Sequence, residues 1–234
     1  MSASLDPLDD DAFDRLLPRY VRSKSRQFWT PATVAAKAAR ILWDRGCRKI
    51  LDVGCGPGKF CIIASRLYPG LELHGIEQRP RLFRLGAGLV RRFGFTNIHL
   101  ARGDATAADW DAYHGFYFFN PFAENVYEDR DRFDSTADLS SLRFARDLLR
   151  VDALLSRARI GTVVVTYHGL GGPLPSSYEL VEEEQGISAP IRTWVQRTER
   201  QTEWVWLEQG RVVTRVSRGE AQRFLNSLVR QAAR

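Results

Sequence analysis

The sequence predicts an α/β chain built on a doubly wound, mostly parallel sheet, and three observations carry that prediction. Apolar Ile50, Leu51 and Val53 run into Gly54, Gly56 and Gly58, and a helix-compatible stretch starts at Lys59, so this segment reads as strand, glycine turn and helix. Short apolar runs and helical stretches then alternate regularly as far as residue 166, the pattern of parallel strands joined by crossover helices. Polar residues recur where those strands finish, at Asp52, Glu77, Asp104 and Asn120. In a doubly wound sheet those carboxyl ends are where ligands bind.

Taken in order, residues 1–27 carry Asp9, Asp10 and Asp11 and then Phe13, Leu16, Leu17 and Tyr20, which reads as a short helix within an N-terminal extension or lid, residues 1–30. Thr30 is the expected N-cap of the next helix, Pro31 suits its first position, an alanine-rich run continues to Trp43, and Gly46 ends it. Phe28 and Trp29 stand just before this helix, where they either wall the ligand site or pack in the core. A helix over 59–68 follows the first strand, Pro69-Gly70 turns the chain, and a second strand over 71–76 ends at Glu77. The helix expected over 80–93 is closed by Gly94, and a third strand over 96–101 ends at Gly103-Asp104. A fourth strand, 114–119, runs into Asn120-Pro121-Phe122.

Residues 124–138 mix acidic and basic side chains and read as loop; a helix over 139–155 and a valine-rich fifth strand over 160–166 follow. Gly169, Gly171, Gly172, Pro173 and Pro175 then form a loop. A strand is expected over 178–183. The runs 192–197 and 203–207 are expected to include an antiparallel closing strand, 212–216 to extend that sheet, and 219–234 to form an amphipathic helix.

Composition narrows the class. The 234 residues suit one domain with a sizeable core, and a 44% hydrophobic, 26% charged balance is that of an ordinary globular protein. No apolar run approaches the ~20 residues of a membrane span, and the acidic start is unlike a secretory signal, so a cytoplasmic location is expected. Cys47, Cys55 and Cys61 are odd in number and match no zinc spacing; they read as packing residues, and no metal is expected at the site. The net charge is +6, carried almost wholly by arginine, since lysine occurs only at 24, 37, 49 and 59. Clusters at Arg15, Arg19, Arg22 and Arg26 and at Arg211, Arg215, Arg218, Arg223, Arg230 and Arg234 leave both ends basic. Such a balance permits nucleic-acid binding without establishing it; solvated arginines on helix faces are the preferred account.

The glycine spacing discriminates between ligands. A dinucleotide turn requires a third glycine where this chain has Lys59. The D-x-G-x-G-x-G pattern of LDVGCGPGKF instead resembles motif I of class I S-adenosylmethionine-dependent methyltransferases. That resemblance implies a seven-stranded Rossmann-like sheet with an antiparallel C-terminal strand, a methyltransferase domain over 31–210, and a C-terminal strand and helix (211–234) packed on it. It implies S-adenosylmethionine as cofactor. Gly54, Gly56 and Gly58 would then let backbone approach its methionine part, with Asp52 engaging the ammonium directly or through water. Glu77 is placed for both ribose hydroxyls, and Asp104 for the adenine amino group.

Asn120-Pro121-Phe122 resembles the N-P-P-[FY] motif of amino-group methyltransferases with one proline missing. In that family the Asn oxygen and a backbone carbonyl accept from the target amine and the aromatic ring packs over it. Across 28–168, the segments GPGKF, HGIEQ, GD and FFNPFAEN resemble a bacterial branch of these enzymes similar to the non-SET-domain histone lysine methyltransferases, which makes protein lysine one candidate acceptor beside a small amine or an RNA base. Oxygen acceptors stay open. A lysine acceptor must lose a proton, and Tyr20, Tyr117, Tyr127, Tyr167 and His168 are candidates to assist, with packing as the competing role of each. His74 reads as a satisfied sheet residue. The alternatives are a non-catalytic S-adenosylmethionine-binding or RNA-binding module and a nicotinamide oxidoreductase, against which Lys59 argues.

Overall fold

The computed structural model describes residues 9–134, 136–137, 139–198, 203–208 and 211–217. Three short helices, α1 (Asp10–Asp14), α2 (Arg19–Arg22) and α3 (Ser25–Phe28), lead into α4 (Ala32–Asp44). Then come β1 (Lys49–Val53), α5 (Lys59–Leu67), β2 (Glu72–Glu77), α6 (Pro80–Phe93), β3 (Ile98–Arg102) and β4 (Gly115–Phe119). The chain continues through α7 (Ser141–Arg157), β5 (Val163–Tyr167), β6 (Tyr178–Glu184), β7 (Ile191–Gln196), β8 (Glu203–Glu208) and β9 (Arg211–Ser217). Among the described residues no helix is long and apolar enough to cross a membrane.

Seven strands form one sheet in the order β3-β2-β1-β4-β5-β7-β6. The first five run parallel, and β7 runs antiparallel to both β5 and β6. Because β1 lies between β2 and β4, the winding reverses there, and the crevice beyond the carboxyl ends of these strands is where a ligand site is expected. Residues 168–177, between β5 and β6, are loop and turn, as their glycines and prolines predict.

Period-two alternation along the buried strands builds a core on each face of the sheet. Ile50 and Tyr117 face α4 and α5, where Phe60 stacks on Tyr117 with ring centroids 4.2 Å apart. Leu51, Val53, Phe116 and Phe118 face the opposite way, against Trp110 and the α7 residues Phe144, Val151 and Leu155. At ~25 cal/mol per Å2, two apolar layers of this kind supply the main term holding the sheet.

Two expectations are corrected. Thr30 does not cap α4: its hydroxyl is shared with the Tyr117 hydroxyl at 3.1 Å, and the Ala32 N–H donates to Asp10 Oδ1 at 2.7 Å instead. The second concerns the C-terminal strands. β8 and β9 pair with each other in a separate two-stranded sheet, so 212–216 does not extend the large one; the antiparallel strand expected within 192–197 or 203–207 is β7. The helix expected over 219–234 lies outside the described residues.

Candidate active site

The glycine turn is held by its own backbone. Gly54, Gly56 and Gly58 all take positive φ (75°, 55° and 78°), the conformation glycine adopts without a Cβ penalty. Gly54 and Cys55 N–H groups both donate to the Ile76 carbonyl, and Gly58 N–H donates to Cys55 O. Glu77 completes the brace: its Oε2 accepts from Gly56 N–H at 3.0 Å and its Oε1 from Arg79 N–H at 2.7 Å. Burial raises the Glu77 carboxyl, and those two N–H groups with the Arg79 charge oppose it. Each oxygen has a second lone pair, so Glu77 holds the turn and still has capacity to accept two hydroxyls.

A cleft of about 300 Å3 opens beside this turn, lined by Gly54, Glu77, Asp104, Asn120, Pro121 and Phe122 together with Trp29, Arg79, Arg143, Tyr167 and His168. Six of the nine residues singled out in the sequence therefore meet at one wall. Asp52, Gly56 and Gly58 are absent from that lining. Alternation along β1 turns Asp52 to the α5 face, where the Cys61 thiol lies 3.7 Å from its Oδ2. Burial pushes its carboxyl up to about 8, with the neighbouring Glu77 charge adding to the rise. Gly56 lies under Trp29, whose ring atoms would be 2.8–2.9 Å from an added Cβ, and Gly58 lies under Leu100. These three residues shape the turn from behind.

Asp104 stands two residues beyond β3 and caps the turn that follows, accepting from the Thr106 N–H and hydroxyl through Oδ1. Its other oxygen lies 3.7 Å from both Arg143 and Arg150. Burial raises this carboxyl, but the Thr106 bonds and the two guanidinium groups outweigh it and hold it below its ordinary value.

Asn120 is the unusual residue. It sits in the left-handed region at φ 39°, its N–H donates to Gly169 O, and its carbonyl accepts from Ala123 N–H. Its side-chain Oδ1 is buried with no hydrogen-bond partner among the described residues. A buried acceptor without a donor costs roughly 1–3 kcal/mol, so this oxygen marks a place prepared for an N–H or O–H from elsewhere. Pro121 packs on Gly54, and Phe122 lines the cleft while packing in the α7 core.

Of the candidate proton-accepting groups, Tyr127, Tyr167 and His168 line the cleft. Tyr167 and His168 share Ser188 Oγ at 2.8 and 2.9 Å, and burial lowers the His168 pKa. Tyr117 is fully buried and Tyr20 is 52% exposed; neither lines the cleft. The sequence reading missed Arg79 and its partners. This guanidinium, almost wholly buried, meets Glu124 at 3.0 Å and Asp134 at 3.2 Å, tying the 124–134 loop to the end of β2. The only local signal is a basic residue two places after Glu77.

Residues 45–135 match the family model of a methyltransferase domain. Over 62 residues the chain is 37% identical to a tRNA (guanine-N(7)-)-methyltransferase of Anaeromyxobacter dehalogenans, a match covering 26% of this chain and 31% of that one. Over 71 residues it is 34% identical to a protein-L-isoaspartate O-methyltransferase of an Anaeromyxobacter species, covering 30% and 28%. These matches thus span about a third of the relatives' lengths. Among solved structures, an RNA methyltransferase of Salinibacter ruber in complex with S-adenosyl-L-homocysteine aligns with TM-score 0.51 and 19% identity, covering 74% of this chain and 95% of that one. The sheet has the Rossmann-like fold of these methyltransferases, and residues 45–135 are similar to a methyltransferase domain. The names of these relatives lend no support to the likeness with histone lysine methyltransferases.

Proposed function

We propose that this protein is an S-adenosylmethionine-dependent methyltransferase acting on a nitrogen that still carries hydrogen. The observation that carries the acceptor reading is the unpartnered Oδ1 of Asn120 beside the glycine turn. The two curated relatives name different acceptors, a guanine N7 and an isoaspartyl oxygen, so the acceptor is argued from this chain's own residues. Guanine N7 has no hydrogen to offer an acceptor oxygen, whereas an exocyclic amino group of a nucleobase or an amine does. RNA is the favoured source of that group, because the tRNA relative and the net charge of +6 point the same way; protein lysine is the second.

Glu77 would take the ribose hydroxyls, Asp104 would face the adenine side, and Gly54 would let backbone lie against the methionine part, with Asp52, Gly56 and Gly58 supporting the turn. The bound cofactor supplies an electrophilic methyl group on a sulfonium. The chain's own task is to hold donor and acceptor in line and to exclude water. Asn120 would aim the nitrogen lone pair by accepting one of its hydrogens, and Phe122 and Trp29 would wall the reacting group. Tyr167 and His168 line the same cleft and would assist loss of the proton.

Calorimetry with S-adenosylhomocysteine tests the cofactor, and transfer of labelled methyl to RNA, protein and small-molecule fractions of a cell extract tests the acceptor. Binding is expected in the wild type and lost in Glu77→Ala. In Asn120→Ala transfer is expected to fall about a hundredfold, the scale of a misplaced reactant, with S-adenosylhomocysteine binding kept. Absence of binding in the wild type ends the methyltransferase reading, and label appearing only on oxygen ends the nitrogen one.

A further inference from the structure

On the sheet face opposite α5, remote from the carboxyl ends that build the cleft, three donors converge. Glu72 and His74 are two apart on β2 and so share a face, and the parallel register sets His99 of β3 directly beside His74. The two imidazole rings lie 4.9 Å apart, and one ligand atom from each of Glu72, His74 and His99 falls within 4.8 Å of the others. The side chain of His74 is 22% exposed and that of Glu72 45%, and His99 is exposed, so an ion reaches them from solvent.

We propose that Glu72, His74 and His99 form a binding site for a divalent transition-metal cation, with zinc the best fit. Two imidazole nitrogens and one carboxylate oxygen, with no thiolate, are the donor set that suits Zn2+ and its borderline neighbours rather than Mg2+ or Ca2+. Metal bonds of about 2.0–2.2 Å set donors roughly 3.3 Å apart around a tetrahedral ion. His74 Nε2 and Glu72 Oε1, hydrogen-bonded at 2.7 Å, would part by about 0.6 Å to hold the ion, and the exposed His99 would close on it from within 4.8 Å. The fourth position is left to water. Lys49 Nζ lies 3.0 Å from the same Glu72 oxygen; its ammonium competes with the cation and, being on a flexible stem, withdraws when the ion arrives. A bound ion would staple edge strand β3 to β2.

The test is calorimetry of the untagged full chain with zinc chloride, with thermal unfolding as a second readout. One equivalent is expected, with a rise in Tm on binding. His99→Ala, an exposed substitution that leaves the fold intact, is expected to weaken binding by at least about tenfold, no less than the loss of an outer-shell partner. Lys49→Met is expected to bind at least as tightly as wild type, and His168→Ala, at the cleft, to bind unchanged. No zinc binding by the wild type, undiminished binding by His99→Ala, weaker binding by Lys49→Met, or loss with His168→Ala would each overturn the proposal.

Discussion

A Cβ added at Gly54 would stand 2.9 Å from the Cβ of Pro121. The first glycine of the turn after β1 and the proline of the turn after β4 are thus in contact across the reversal of the sheet, and two of the site's walls share one surface.

Gly54→Ala is therefore expected to destabilise in two ways, by crowding Pro121 and by forcing a residue with a Cβ into φ 75°. Overpacking of this kind costs about 1–3 kcal/mol. Pro121→Gly should relieve the crowding and leave the strain, so the double variant recovers part of the loss. Urea midpoints for the four proteins of the cycle measure this. A coupling below the ~0.5 kcal/mol expected of touching residues would show that the walls do not lean on one another.

Asp10 holds the N-terminal segment to the domain at two points. Its Oδ1 lies 2.6 Å from Lys59 Nζ and also accepts from the Ala32 N–H that starts α4. The Lys59 side chain is 3% exposed, while that of Asp10 is 44% exposed and screened, so the pair itself contributes modestly and the cap adds ~1 kcal/mol. Asp10→Ala is expected to cost about 1–2 kcal/mol by urea unfolding, since Asp14 at 3.5 Å still accompanies Lys59. Asp10→Asn keeps the acceptor for Ala32 and should lose less. Equal losses from the two variants would mean that charge alone matters here.

Much of this fold was legible because its signals are local. Apolar runs, positive-φ glycines and strand-end acids sit within a few residues of one another, and from them came the parallel strands, the turn at Gly54 and the meeting of Glu77, Asp104 and Asn120. What was hidden depends on partners far along the chain. Thr30 had every local mark of an N-cap, yet its hydroxyl went to Tyr117, 87 residues away. Arg79 finds Asp134 across 55 residues of separation, with no spacing rule to announce it. Strands β8 and β9 are rich in β-favouring residues, and composition does not say which edge they join. Asp52 is the instructive case. The same period of two that sends Ile50 to the α5 face sends Asp52 with it, so its absence from the cleft was implied by its position on β1.

That burial makes Asp52 a source of pH-dependent stability with a definite sign. In the folded chain it keeps its proton up to about pH 8, against an ordinary value of 3.8. Between those values the folded state binds more protons than the unfolded state, so this carboxyl makes stability fall as pH rises through the window. Below the window both states are protonated and the contribution vanishes; above it the penalty is complete and constant. Asp52→Asn replaces the carboxyl with a group that does not titrate. Comparing urea midpoints at about pH 5 and pH 8 should show the wild type losing stability over that interval, and Asn at this position losing less. Half-buried Asp152, raised by desolvation to about 7, adds a share in the same direction that the substitution leaves in place. A slope identical in the two proteins would mean that Asp52 is ionised at neutral pH, with a charge partner closer than the Cys61 thiol.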